Sequence, residues 1–370
     1  MEMMSLEECC EILDSMRIPI TASNRKEGIY PYYGANGIQD HVADYIFDDE
    51  LVLLAEDGGN FGSKTRPIAY RVSGKCWVNN HAHVLKPKEG LNVDFLCYSL
   101  MFYNTEGLVN GATRQKLTQT TMRKMLIPNL SIENQLYIVN QLNKLLKIIE
   151  LRKKEIQQLD NLTKARFVEL FGDAIHNDKG WENDTVEKLC KEIYGGGTPS
   201  KSHPEYYEDG DIPWVSSKDM KTDVLTDSQI KINQLGVDNS TARMVPINSV
   251  IMVIRSGILK HTLPVAINAV PITVNQDLKV FIPNERVLTR FLAIQFKMHE
   301  KDILSGVRAV TADNIEFNSL KQRELIVPPI ELQQEYVIFL EQIDKSKVAV
   351  QKALDETQIL FDSLMQKYFG

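Results

Sequence analysis

The sequence predicts an α+β fold built twice: two mixed α/β globular blocks, each closed by a long helix. The two helices pair antiparallel as a coiled coil, giving a pseudo-twofold internal repeat. Three observations carry this reading. First, the segment from Leu126 to Gly172 returns, reworked, from Leu325 to Gly370. Sliding one onto the other by 200 positions sets Pro128 on Pro328, Ile132 on Leu332 and Leu136 on Tyr336, and a slide of 198 sets Phe171-Gly172 on Phe369-Gly370. Second, each copy holds a long apolar seam without Pro or Gly inside it. Third, the blocks before the two copies present their elements in the same order. A period this long, closed each time by a helix, marks two related halves.

Residues 1–125 form the first block. Leu6 to Leu13 reads as a short helix, followed by the turn-rich entry from Arg17 to Ile38. Leu51 to Ala55 and Ala69 to Val72 read as strands around a Gly-rich loop, Glu56 to Pro67, that ends in Lys64, Thr65 and Arg66. Cys76 to Pro87 (CWVNNHAHVLKP) follows, then a helical stretch near Phe95 to Phe102. Asn110 to Met125 closes the block.

The first long helix occupies 126–172. Ile132, Leu136, Val139, Leu142, Leu146, Ile149, Ile156, Leu159 and Leu162 recur at steps of three, four or seven, the seam of a coiled coil. About 40 residues at ~1.5 Å each make a rod of roughly 60 Å. Residues 173–324 form the second block, which repeats the order of the first with different residues. Val186 to Ile193 echoes Leu6 to Leu13 and sets Cys190 opposite Cys10. Ile251 to Ile267 replaces the strand, Gly-rich loop and strand, and Ile272 to Pro283 echoes the NNHAH segment. The second long helix occupies 325–370, with Leu332, Tyr336, Phe339, Ile343, Val350, Leu354, Phe361, Leu364 and Tyr368 as its seam. The first rod carries seven basic and five acidic residues and the second four and seven, so opposite balances favour pairing.

Composition narrows the function classes. A 370-residue chain with 43% hydrophobic and 25% charged residues is an ordinary globular protein of two or three domains. The acidic N-terminus lacks the basic and apolar regions of a signal peptide, and no apolar run approaches a membrane span, so a cytoplasmic protein is expected. Five cysteines form no paired framework and read as free, mostly buried thiols. The net charge of −7 is spread evenly, with 13 basic and 16 acidic residues in the first block and 18 and 21 in residues 173–325. Neither block is a basic domain, which argues mildly against a stand-alone nucleic-acid binder.

No catalytic signature is present: no P-loop, no dinucleotide-binding turn, no nucleophile elbow and no zinc helix. Gly195-Gly196-Gly197 lies before Thr198-Pro199, outside any G-x-G-x-x-G context. His81 and His83 could face one side of a strand and hold a metal, but no Cys or carboxylate stands at ligand spacing, so polar surface histidines are the better reading. Cys9-Cys10 reads as core. What remains are loops rich in Gly, Ser, Thr, Asn, Lys and Arg at matched places. In the first block they present Tyr33, Asn36, Lys64, Arg66, Asn80, Arg114 and Lys116. In the second they present Thr198, Lys201, Ser217, Lys218, Arg255, Lys260 and Arg308. Arg can fork onto guanine and Asn onto adenine, while Ser, Thr and Lys hold phosphates. Any one such loop alone reads as a solvated turn, and a coiled-coil scaffold with two ligand- or protein-binding domains is the alternative reading.

The chain resembles the specificity subunit of type I restriction-modification enzymes over nearly its whole length. Gly195 to Met220 (GGGTPSKSHPEYYEDGDIPWVSSKDM) is similar to the opening of that family's target recognition domain. RKEGIYPYYGANGI with LAEDGGNFG resembles a second variety of the same domain. PPIELQQEYVIFLEQIDKSK resembles the family's helical spacer, with IPNLSIENQLYIVNQL as its degraded twin. The resemblance implies a non-catalytic subunit whose two recognition domains each read half of a split sequence in double-stranded DNA. It implies two methyltransferase subunits as partners, joined by motor-nuclease subunits. S-adenosylmethionine, ATP and Mg would then sit on those partners and none on this chain. The first recognition domain starts almost at Met1, so the C-terminal helix is expected to return beside it and close a circular arrangement. The first block lacks the G-G-G-T-P opening.

Overall fold

A computed structural model describes residues 2–111, 114–306, 308–309 and 313–370, with the side chains at 308, 309 and 313 excepted. The chain divides into two compact units, Met1–Glu155 with Val350–Gly370, and Ile156–Ala349. Each unit therefore holds one globular block, part of the helix that follows it and the end of the other long helix.

In the first unit a six-stranded sheet runs Cys10–Ile12, Ala82–Pro87, Phe47–Ala55, Ala69–Val78, Glu27–Gly34, Gly37–Val42. All its pairs are antiparallel except Glu27–Gly34 with Ala69–Val78. Leu51, Val52, Leu53, Leu54 and Ala55 are all fully buried, as a strand covered on both faces must be. The helix Val93–Met101 lies against this sheet, capped by the Asn92 side chain. The helix expected from Leu6 to Leu13 is shorter than the sequence suggested. Ser5 and Glu8 form a capping box that starts Leu6–Cys9, and from Cys10 the chain turns to a strand on Ala82–Pro87. One helical turn cannot outweigh a ready sheet edge, because its nucleus is costly.

The second unit repeats the scheme. Cys190–Gly195, Leu278–Pro283, Val250–Val253, Val265–Asn268 and Val224–Leu225 form one sheet, and Lys231–Ile232, Ile212–Val215 and Thr273–Val274 a second. The parallel pair recurs between Ile212–Val215 and Thr273–Val274. Where the first unit has one ten-residue strand, Ala69–Val78, the second has two short strands interrupted at Ala269 to Pro271. Pro271 has no N–H to give a ladder, and the Asn268 side chain donates to the Pro246 and Val270 carbonyls across the break.

The two long helices are Ile132–Phe171 and Ile330–Phe369, offset by 198 residues at both ends. The preceding strands Leu126–Pro128 and Glu324–Ile326 keep the same offset. The slide of 200 at the helix starts is thus corrected. Pro128 belongs to a strand, whereas Pro328 and Pro329 lie beyond the equivalent strand, so matching proline to proline slipped the alignment by two.

The 198 offset also pairs two buried glutamines that seat each helix on its own block. Gln135 accepts from the Asn92 amide (2.8 Å) and donates to the carbonyls of Gly90 (3.0 Å) and Leu130 (2.8 Å). Gln333 accepts from the Leu288 amide (2.9 Å) and donates to Arg286 (3.0 Å) and Pro328 (2.8 Å). Each glutamine thereby fixes the entry of the helix Val93–Met101 or Thr289–Met298.

Within the second unit the helices run antiparallel. Asp160 pairs with Lys347, the Tyr336 hydroxyl donates to the Thr163 carbonyl (3.0 Å), and Arg166 meets Glu335 (2.6 Å). Phe167, Phe171, Phe291 and Tyr336 form an aromatic cluster there. Within the first unit Tyr98 donates to Asn143 (2.5 Å) and abuts Phe361, while Phe95 meets Phe369. The C-terminal helix does return to the first block. Val139, Leu142, Ile149, Tyr336, Ile343, Leu354 and Phe361 are buried as the seams required, but Ile132, Leu136, Leu146 and Leu162 are exposed. Seating by Gln135 turns the face bearing Ile138 and Val139 inward at the helix start and leaves Leu136 outside. Among the described residues no helix is long and apolar enough to cross a membrane.

Candidate nucleic-acid interface

In the first unit the strand Phe47–Ala55 ends beside the 79–81 loop and the closing hairpin, whose strands Val109–Asn110 and Lys116–Leu117 pair antiparallel. The Glu56 amide donates to the His81 carbonyl (2.9 Å) and the Leu117 amide to the Glu56 carbonyl (2.7 Å). Asp57 and Gly58 leave this frame, with Gly58 at φ +61. A side chain there would be strained and would press on Arg114, whose Nε lies 3.3 Å from where a Cβ would stand. Asp57 Oδ1 receives His81 Nδ1 at 2.6 Å and Arg114 Nη2 at 2.8 Å. Asn36 donates to the Gly58 carbonyl (3.0 Å), and Lys116 meets Glu56 (3.0 Å). Asn36, Arg114 and Lys116 are therefore gathered around one tip.

Asn80 borders this tip, and the other predicted residues of this block lie elsewhere. Tyr33 is half-buried and stacked on Tyr70, and burial raises its pKa. Asn80 is exposed on the loop next to His81. Arg66 is exposed on a turn whose amides bond Ser63 Oγ. Lys64 lines a cleft of about 470 Å³ beside the end of the helix Val93–Met101 and the last turns of the second long helix.

Under the tip lies a network that corrects the reading of His83 as a surface histidine. His83 is fully buried, with Nδ1 2.7 Å from Asp14 Oδ2 and Nε2 2.9 Å from the Leu117 carbonyl. Asp14 and Glu56 join it from distant parts of the sequence, so the three could approach one cation. Cations of the chain already occupy them: Arg17 donates to Glu56 (2.6 Å), and Lys116 reaches its other oxygen. Burial would raise the Asp14 pKa, but the hydrogen bond and attraction of His83, with bonds from Val84 and Gln119, hold it below its usual range. Burial likewise opposes, and Arg17 and Lys116 outweigh it, at Glu56. Cys9 and Cys10 are buried, 3.8 Å apart at sulfur, and all five cysteines are free.

In the second unit the frame recurs. The Ile254 amide donates to the Asp277 carbonyl (2.9 Å) and the Ile315 amide to the Ile254 carbonyl (2.9 Å). Arg255 leaves the frame and binds Asp277 Oδ1 through Nε (2.7 Å) and Nη2 (2.6 Å). Thr198 bonds Gln276, the neighbour of Asp277. The triple glycine serves this approach, because a Cβ on Gly196 would fall 1.8 Å from the Val274 carbonyl oxygen. Thr198 and Arg255 thus share a tip. Ser217 and Lys218 sit on a turn closed by Asp219, which accepts from the Ser216 amide (2.8 Å) and hydroxyl (2.7 Å). Lys201 is exposed on a separate turn, and Lys260 ends the short 3-10 turn Gly257–Lys260. Arg308 opens the short strand Arg308–Ala309, and its side chain lies outside the described residues. Asp57 and Asp277 went unpredicted, since a search for DNA contacts favours cations and amides. The frame pairs Asp277 with His81 and Lys279 with His83.

Two units of one topology, seated alike on two long helices and ending in unlike polar tips, define a duplicated recognition protein. Comparison with known proteins gives the family. The profile of the type I restriction modification DNA specificity domain matches residues 1–161 and 178–357. The chain belongs to that family. It is 29% identical over 328 residues to the EcoR124I/EcoR124II specificity subunit of Escherichia coli, covering 87% of this chain and 76% of that one. It is 23% identical over 327 residues to the MjaIX specificity subunit of Methanocaldococcus jannaschii, covering 81% and 74%. In fold it is similar to a type I restriction-modification S subunit from M. genitalium (TM-score 0.61, 14% identity, 100% and 96% coverage). A chain solved in work on assembly and conformational transition of the type I system gives a TM-score of 0.58 at 15% identity, with 100% and 97% coverage.

Proposed function

We propose that this chain is the DNA-recognition subunit of a type I restriction-modification complex, each unit reading one half of a bipartite target in double-stranded DNA. One observation carries the reading: a single backbone frame is built twice and furnished with different polar side chains, as two readers of unlike sequences require. Exposed Lys and Arg on the flanking turns hold phosphates, and the tips meet base edges. The paired long helices set the gap between half-sites and dock two methyltransferase subunits, which motor-nuclease subunits join. Large apolar side chains left in water on both helices support docking, among them Leu136 (50% exposed) and Tyr137 (60%) on the first and Ile338 and Val348 on the second. The chain supplies recognition and no bond chemistry, while S-adenosylmethionine, ATP and Mg belong to the partners.

The net charge of −7 bears on affinity, because phosphate contacts dominate it. The partner subunits close around the duplex and supply much of the positive surface. Footprinting tests this. The chain with its methyltransferase partner should protect two short tracts separated by an open gap, and the free chain should protect little. A scaffold for proteins or small ligands would leave the DNA unprotected in both states, and tight specific binding by the free chain would contradict the division of labour.

A further inference from the structure

The two tips share their main-chain bonds, and the carboxylate stands on a different element in each. The His81 amide donates to Asn79 Oδ1 (2.8 Å) as the Asp277 amide does to Asn275 Oδ1 (3.1 Å). The Asn79 amide donates to the Tyr33 carbonyl (3.0 Å) as the Asn275 amide does to Val215 (2.9 Å). Asp57 bridges to Lys116 in the closing hairpin as Arg255 bridges to Asn314. Position 57 is therefore the counterpart of 255, and 81 of 277. The first unit places a carboxylate at the strand exit and an imidazole on the loop. The second places a guanidinium at the strand exit and a carboxylate on the loop. In the first unit Arg114 arrives from the closing hairpin instead and seats on the same Asp57 oxygen as His81.

We infer that Asp57 and Asp277 are positioning residues: Asp277 holds one edge of Arg255, and Asp57 with His81 holds the single nitrogen Nη2 of Arg114, so that the remaining donors of each arginine meet a guanine in the major groove. The inference rests on the DNA-reading function proposed above. Asp277 engages Nε and Nη2 of Arg255, leaving Nη1 and the second hydrogen of Nη2 as a fork with no partner among the described residues. That fork matches the O6 and N7 acceptors of guanine. The exposures fit a buttress and a reader: the aspartates are 18% and 24% exposed at the side chain, Arg114 and Arg255 60% and 49%. A guanidinium already neutralised by a carboxylate gains less from a phosphate, yet keeps its donors for a neutral base. An arginine seated in advance also loses less rotamer freedom on binding. Because the arginine comes from the closing hairpin in one unit and the strand exit in the other, the guanine falls at a different place in each half-site.

The test uses the chain assembled with its methyltransferase subunits, its target first read from methylated-motif sequencing. The wild-type motif should contain a guanine in each half. Asp277→Asn should cut discrimination at one guanine of one half-site by about tenfold or more, leaving the other half-site unchanged and melting close to wild type. The double exchange Arg255→Asp with Asp277→Arg rebuilds the ion pair in reversed polarity. It should keep the melting temperature and still fail to select that guanine, whereas a merely structural pair would be rescued. A wild-type motif with unchanged discrimination in Asp277→Asn, or rescue by the exchange, overturns the inference alone. Absence of any bipartite motif in the wild type overturns the function it rests on as well.

Discussion

Beneath equivalent strand exits the two units are built from opposite materials. The first buries Asp14, Glu56 and His83 with Arg17 and Lys116 laid across them. At the same level the second has apolar Ile254 for Glu56 and Lys279 for His83, with Lys279 over the Phe317 ring at 4.5 Å and no carboxylate paired with it among the described residues. Gly195 leaves room for that lysine, whose pKa burial lowers. The backbone frame above is nevertheless the same. Tip geometry is thus set by main-chain hydrogen bonds, and the layer below is free to vary provided every polar group finds a partner.

Removing one member of each layer separates the two designs most sharply. Asp14→Ala leaves the buried His83 ring and the Val84 amide without their hydrogen-bond partner and should cost about 2–3 kcal/mol. Lys279→Met removes a charge that has no acidic partner and should cost less than about 1 kcal/mol. Hydrogen exchange in Ala82–Pro87 and Leu278–Pro283 would resolve the two effects, and equal losses would break the contrast.

The glutamine seats predict a likeness instead. Gln135→Ala and Gln333→Ala each take the partner from a half-buried amide N–H and two carbonyls, for about 1–2 kcal/mol apiece. Exchange protection at the Asn92 and Leu288 amides reads each one separately.

A smaller difference lies in pH. His299 is buried in the second unit, and burial, then Arg323, lowers its pKa from an ordinary 6.5. The unfolded chain then binds the proton first, so this contribution is present above pH 6.5 and is lost as pH falls toward the depressed folded value. The first unit's Asp14 and Glu56 are depressed from 3.8 and 4.5, so its own loss begins only in that acid range. Urea titrations of the second unit's transition should slope downward as pH falls below 6.5, and His299→Leu should flatten them. Least of all, Arg243→Ala gives up an exposed cation–π contact with Tyr194 worth about 0.5–1 kcal/mol.

The duplication, the long helices and the buried strands were legible because they rest on periodic apolar residues and on chain order. Arg114 and Arg255 were legible as donors in polar loops. The register of the repeat was not, because Pro128 and Pro328 look alike and Gln135 and Gln333 resemble any helical glutamine until their burial is known. Nor was the His83 network, whose partners come from three separate segments. Asp57 and Asp277 escaped for a related reason: an acid reads as an obstacle to DNA until the arginine it holds is seen.

The most direct measurement of two independent readers is methylated-motif sequencing in cells expressing the partner subunits with wild-type chain, Arg114→Ala or Arg255→Ala. A two-part motif in the wild type, degraded in one part by the first substitution and in the other part by the second, is the expected result. Loss of both parts together from either substitution would contradict it.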